Sequence, residues 1–205
     1  MSKPYSLAVI AAALLLGTAA CMKPTPESEA SAAPARVERG KYLVTIGGCN
    51  DCHTPLRMGP KGPEPDLSRM LSGHPESFPI TAATAAPSAS WLMTMAASGT
   101  AFSGPWGVSF AANLTPDENT GLGIWTEEMF VKAVRTGRHM GVSRPILPPM
   151  PWPNVSAMRD DDVKAVYAYL RSIQPIHNRV PEPLPPPEAT VAANHTARGG
   201  DAGVQ

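Results

Sequence analysis

The sequence predicts a mostly α-helical domain with long proline-rich connections and a small β-hairpin, carried on a chain of 205 residues. Three observations predict it. Three segments place apolar residues at helical spacing between recognisable start and stop signals. Proline occurs 24 times, and a residue that fixes φ and removes a backbone donor keeps helices short and connections stiff. Strand-like alternation is confined to the stretch 67–112. Apolar content of 43% supports a core, and the length suits one domain.

In chain order, "MSKPY" carries Lys3, "LAVIAAALLLGTAA" is apolar, and small residues end the run before Cys21. Residues 1–20 read as a signal peptide, too short for a comfortable membrane span. Cys21 stands where a bacterial lipoprotein is cut and acylated, although Thr18 occupies the place where leucine is usual. The alternative is a plain signal peptide that leaves Cys21 as a free thiol. Residues 21–34, small, polar and proline-dotted, read as a disordered tether. The folded domain spans 35–185, and 186–205 reads as a disordered tail.

Within the domain the first helix covers Ala35 to Ile46, with Val37, Leu43, Val44 and Ile46 as its apolar residues. Gly40 in its middle costs about 1 kcal/mol relative to alanine, which a close helix crossing repays. Alternation in "WLMTMAA" and "WGVSF" gives the hairpin. The second helix, "TEEMFVKAVRTG", has Thr126 as N-cap, Glu127 and Glu128 in its positive first turn and Gly137 at its end. The third, "DDDVKAVYAYLRSI", has Asp160 to Asp162 at its N-terminus, a stripe of Val163, Val166, Tyr167 and Leu170, and Pro175 beyond it. Lysine plus arginine and aspartate plus glutamate number 17 each, so no basic excess favours nucleic acid as a partner.

The chemistry lies in "GGCNDCHTP", residues 47–55. A structural zinc site needs four ligands, and the remaining histidines show no paired spacing. A redox Cys-x-x-Cys belongs in a βαβ surround that this region lacks. A disulfide between Cys49 and Cys52 leaves His53 without a role. Covalent haem uses all three residues: each thiol forms a thioether with one vinyl group, and the adjacent imidazole supplies an axial nitrogen to iron. The motif occurs once, so one haem c is expected.

With these residues the sequence resembles class I c-type cytochromes carrying a single haem. It is more similar still to the cytochrome c subunits of bacterial periplasmic dehydrogenases. The resemblance runs from "RGKYLVTIGGCNDCHTP" through "GPEPDLSRMLSG" and "ANLTPD…TGLGIWTEEMFVKAVRTG" to "RPILPPMPW" and "DDDVKAVYAYLRSI". It implies a cytochrome c-like fold in which the N- and C-terminal helices cross, with Tyr169 near Gly40. It covers nearly all of residues 36–180, but the chain between the haem motif and "PPMPW" is longer than in a minimal class I cytochrome, so details of residues 67–112 do not carry over.

The resemblance also implies a methionine as sixth iron ligand, from a loop before the last helix. Met150 in "LPPMPWP" is the leading candidate, because prolines on both sides hold its backbone. Met140 and Met158 follow, with His139 as an alternative. Met58 lies too near His53 in sequence, and Met129 belongs to the inner face of the second helix. The histidine's other nitrogen is expected to donate to a carbonyl, which the resemblance assigns to Pro63 or Pro65. Trp106, Asn113, Arg135, Arg138 and Arg144 are candidate contacts to the haem propionates. His74 and His177 read as exposed loop residues, as does His195.

The expectation is an electron carrier on the periplasmic side of a bacterial membrane, lipid-anchored if Cys21 is acylated. A periplasmic dehydrogenase would be the donor, and a quinone pool or terminal oxidase the acceptor. The basic run Lys132, Arg135, Arg138 and Arg144 is a candidate docking patch. The rival is a haem enzyme or a gas or redox sensor with an open or labile sixth site.

Overall fold

The computed structural model describes residues 26–82 and 90–186. The signal peptide, Cys21 and His195 lie outside them. Among the described residues five helices alternate with short antiparallel strands: α1 (Pro26–Ile46), α2 (Cys49–His53), β1 (Leu56–Gly59), β2 (Gly62–Pro65), β3 (Thr94–Met95), β4 (Ala101–Gly104), β5 (Gly107–Phe110), α3 (Glu127–Thr136), α4 (Trp152–Ser156) and α5 (Asp160–Ser172).

The core lies where α1, α3 and α5 meet. Leu43 and Val44 of α1, Phe130 and Val134 of α3, and Val163, Ala165, Val166 and Leu170 of α5 form one buried cluster with Leu71 and Leu122. The α1–α5 crossing is close because Gly40 has no side chain: a Cβ there would stand 1.9 Å from the Ala165 carbonyl oxygen and 2.8 Å from Tyr169 Cβ. At the rim of the crossing Arg39 pairs with the nearly buried Asp162 at 2.6 Å.

α1 begins at Pro26, so residues 26–34, read as tether, are helical. Proline is tolerated in the first turn of a helix, and the alanine- and glutamate-containing stretch that follows is rich in helix formers. Pro34 lies inside the helix. α3 keeps the bounds its caps imply: Thr126 Oγ1 accepts from Met129 N at 3.2 Å, and Gly137 closes the helix at φ 63°.

The stretch 67–112 holds a three-stranded antiparallel sheet, not the single hairpin read from "WLMTMAA" and "WGVSF": β4 inserts between the strands β3 and β5 that those segments form. β4 pairs with β5 in the register Ala101 to Phe110, and β3 adds the edge strand through Thr94 and Met95. On the other side of β5, Val108 exchanges hydrogen bonds of 2.9 and 3.0 Å with Leu184, which anchors the proline-rich segment after α5. A second hairpin, β1–β2, pairs Leu56 with Pro65 and Met58 with Pro63. Prolines are compatible with a two-stranded ribbon whose outer edges need no donors, and for the same reason their presence hid this hairpin from the sequence pattern.

Candidate haem-binding site

The Gly47–Gly48 joint turns the chain from α1 into α2. Gly48 takes φ 63°, a left-handed conformation that glycine adopts without penalty. The single turn of α2 then carries all three motif residues. Cys49 and Cys52 stand three apart, neighbours on one helical face, and both are half-buried free thiols.

His53 ends the turn and is 8% exposed. Its Nδ1 lies 2.8 Å from the Ala112 carbonyl oxygen. A carbonyl only accepts, so Nδ1 carries the proton and Nε2 keeps its lone pair. Burial holds the imidazole pKa below its ordinary value, with the Ala112 contact opposing in part, so the ring is neutral. Nε2 has no hydrogen-bond partner among the described residues, yet it is not sealed in: of their side-chain polar atoms only Ser72 Oγ is both fully buried and unpartnered. A neutral imidazole, oriented through one nitrogen and open at the other, is a metal ligand in waiting.

Burial pushes both thiols up. They are therefore protonated, unlike the low-pKa thiol of a redox Cys-x-x-Cys. No three His, Cys, Asp or Glu side chains converge among the described residues, so nothing there completes a zinc site. Two neutral thiols and one free imidazole nitrogen on a single turn match the donor set that covalent haem requires.

The carbonyl partner of His53 is Ala112, not Pro63 or Pro65. Those prolines are committed to the β1–β2 ribbon, whereas β5 ends just before Ala112 and delivers it to the imidazole. No residue-type signal marks a backbone acceptor. His53 is held at its own carbonyl too: Gly73 N donates to His53 O at 2.8 Å. Next to it Thr54 Oγ1 accepts from Leu71 N at 2.9 Å and donates to Asn50 Oδ1 at 2.9 Å. Leu71, fully buried, adopts φ 60°, a conformation that costs a branched side chain energy and marks a constrained segment.

Met150 lies half-buried in a separate loop. Its N–H donates to Leu147 O at 3.3 Å across the cis Pro148–Pro149 bond. Ser109 of β5 donates to Pro148 O, and Ile146 N donates to Gly137 O at 2.8 Å. Trp152 packs its ring over Gly137. The loop is thus tied to both β5 and the end of α3. Met58 is 78% exposed, Met140 takes φ 53°, Met158 packs against the core, and His139 sits edge-on to Trp125 at 5.2 Å.

The candidate propionate contacts all have protein partners. Asn113 Oδ1 accepts from Thr115 N and Oγ1 at 3.0 and 2.7 Å, and its Nδ2 donates to Ile176 O at 2.8 Å. Arg135 donates to Met158 O and pairs with Asp160. Arg138 donates to Ser143 O and Arg144 pairs with Glu182. Trp106 Nε1 reaches Ser109 Oγ at 3.3 Å. Two of the four cations in the basic run are thereby paired, which weakens it as a docking patch. His177 is exposed beside Asp117. His74, read as an exposed loop residue, is fully buried: Nε2 donates to Phe78 O at 2.8 Å and Nδ1 accepts from Thr100 Oγ1 at 3.0 Å.

No protein-family model matches the chain. Over most of its length it is similar to cytochrome c subunits of bacterial dehydrogenases. It is 30% identical over 176 residues to the fructose dehydrogenase cytochrome subunit of Gluconobacter japonicus, covering 85% of this chain and 29% of that protein. Identity is also 30% over 165 residues to the gluconate 2-dehydrogenase cytochrome c subunit of Pantoea cypripedii, covering 80% and 29%. With the alcohol dehydrogenase (quinone) cytochrome c subunit of Gluconacetobacter polyoxogenes it is 29% over 164 residues, covering 80% and 26%. The chain spans less than a third of the length of these relatives.

Proposed function

We propose that the protein is an electron carrier with one haem c, attached through Cys49 and Cys52 and ligated by His53 Nε2 and Met150. The observation that carries the proposal is the state of His53: neutral, protonated at Nδ1 by its contact to Ala112, open at Nε2, and on the same turn as two free thiols. The similarity to cytochrome c subunits supports it. When bound, the haem supplies one-electron chemistry between ferrous and ferric iron. The chain's part is to fix the imidazole through Ala112 and Gly73 and to hold Met150 in a proline-stiffened loop.

A dehydrogenase is the proposed donor and a quinone pool or terminal oxidase the proposed acceptor. We place the protein on the periplasmic side of a bacterial membrane, held by a lipid on Cys21. Among the described residues no helix is long and apolar enough to cross a membrane. The test is the mass of the denatured protein after acidic organic extraction. Haem retained in wild type, and lost in Cys49→Ser/Cys52→Ser, supports covalent attachment; a wild-type polypeptide that releases all its haem refutes it.

A further inference from the structure

Asn178, in the segment after α5, is 1% exposed and uses every hydrogen-bonding position of its amide. Nδ2 donates to Ser72 O at 2.7 Å and to His74 O at 2.8 Å. Oδ1 accepts from Arg69 Nη2 at 2.8 Å and from Glu76 N at 3.0 Å. The side chain therefore fixes the segment 72–76 from within. Gly73, between its two acceptors, gives its N–H to the His53 carbonyl, and His74 N donates to Ala111 O at 2.9 Å. Ala111 precedes the residue whose carbonyl accepts the hydrogen bond from His53 Nδ1.

The main chain of Asn178 closes the circuit on the other side. Its N–H donates to Thr120 Oγ1 at 3.0 Å, and Asn113 Nδ2 donates to Thr120 Oγ1 at 3.2 Å and to the Asn178 carbonyl at 3.4 Å. Asn113 follows Ala112 directly. One residue thus sets the distance between the two anchors of His53, the donor at its carbonyl and the acceptor at its ring.

We infer that Asn178 is a positioning residue for the axial histidine, controlling the strength of the His53–Ala112 hydrogen bond and through it the electron density on the imidazole. The inference rests on the reading of His53 as an iron ligand. A firm Nδ1–H···O=C bond makes the ring a stronger donor, which favours the ferric state and lowers the reduction potential. Loosening the bond raises the potential. Arg69 acts one step further out, by locking the amide's orientation through Oδ1.

The experiment compares wild type, Asn178→Ala and the milder Arg69→Met as haem-loaded proteins. It measures reduction potential by redox titration and exchange of the His53 Nδ1 proton by NMR. Both variants are expected to raise the potential, Asn178→Ala more, and to speed Nδ1 exchange roughly fivefold, within the range that one ordinary hydrogen bond is worth. Arg69→Met gives the answer if Asn178→Ala does not accumulate folded. Variants that melt earlier with unchanged potential and exchange show Asn178 to be structural only, which overturns the inference. A wild type without a histidine-ligated haem spectrum overturns the ligand reading itself, and the inference with it.

Discussion

Replacing Gly40 by alanine tests the packing on which the domain depends. On helix propensity alone the change stabilises α1 by about 1 kcal/mol. The structure reverses that sign. The new Cβ would meet the Ala165 carbonyl oxygen at 1.9 Å, the Ala165 carbonyl carbon at 2.6 Å and Tyr169 Cβ at 2.8 Å. To regain an ordinary contact of 3.4 Å the helices must open by about 1.5 Å at the crossing. The nearest obstacle is backbone and cannot rotate away, so the penalty falls at the upper end of the 1–3 kcal/mol typical of overpacking. The net loss is then about 2 kcal/mol, and for a domain of this size Tm falls by roughly 4–8 °C. Thermal unfolding followed by circular dichroism on haem-loaded protein measures it. A Gly40→Ala variant as stable as wild type, or more so, would refute the close crossing.

Thr126→Ala removes the side-chain acceptor for Met129 N and is expected to cost about 1 kcal/mol, read as a lower urea midpoint with an unchanged slope. Stability should also depend on pH through His74. Burial holds its pKa below the ordinary imidazole value. As pH falls through that value the unfolded chain takes up a proton that the folded chain refuses, so stability drops; above it both forms are neutral and the contribution vanishes. Urea midpoints from about pH 7.5 down to about pH 5 should decline less in His74→Gln than in wild type. Gly48→Ala forces a Cβ into the left-handed conformation beside Asp51. It should lower the yield of haem-loaded protein below that of wild type; equal yields would count against a special role for the α1–α2 joint.

What the sequence made legible was local. Thr126, the two glutamates and Gly137 bracket α3 because capping is decided within four residues. Asp160 to Asp162 and the stripe ending at Leu170 do the same for α5. The motif at Cys49, Cys52 and His53 was legible because its chemistry requires fixed spacing. Gly40 hinted at a crossing, and Tyr169 proved to be among the atoms nearest to it. What stayed hidden depends on chain-distant contacts. Ala112 matters only through a carbonyl that β5 happens to deliver. Asn178 and His74 sit in polar, loop-like stretches, and only the folded chain shows that each is buried with its polar atoms satisfied. The ion pairs of Arg135 and Arg144, read as candidate propionate contacts, stayed hidden because Asp160 and Glu182 are remote in sequence.

The central claim is a six-coordinate haem held by His53 and Met150 that carries electrons. The most direct measurement is the optical spectrum of purified protein, oxidised and reduced, for wild type and Met150→Ala. The account predicts a weak charge-transfer band at the red edge of the oxidised wild-type spectrum, absent from Met150→Ala, and no carbon monoxide binding by reduced wild type. A wild type that lacks the band and binds carbon monoxide readily would contradict it, and would favour a haem enzyme or sensor with an open sixth site.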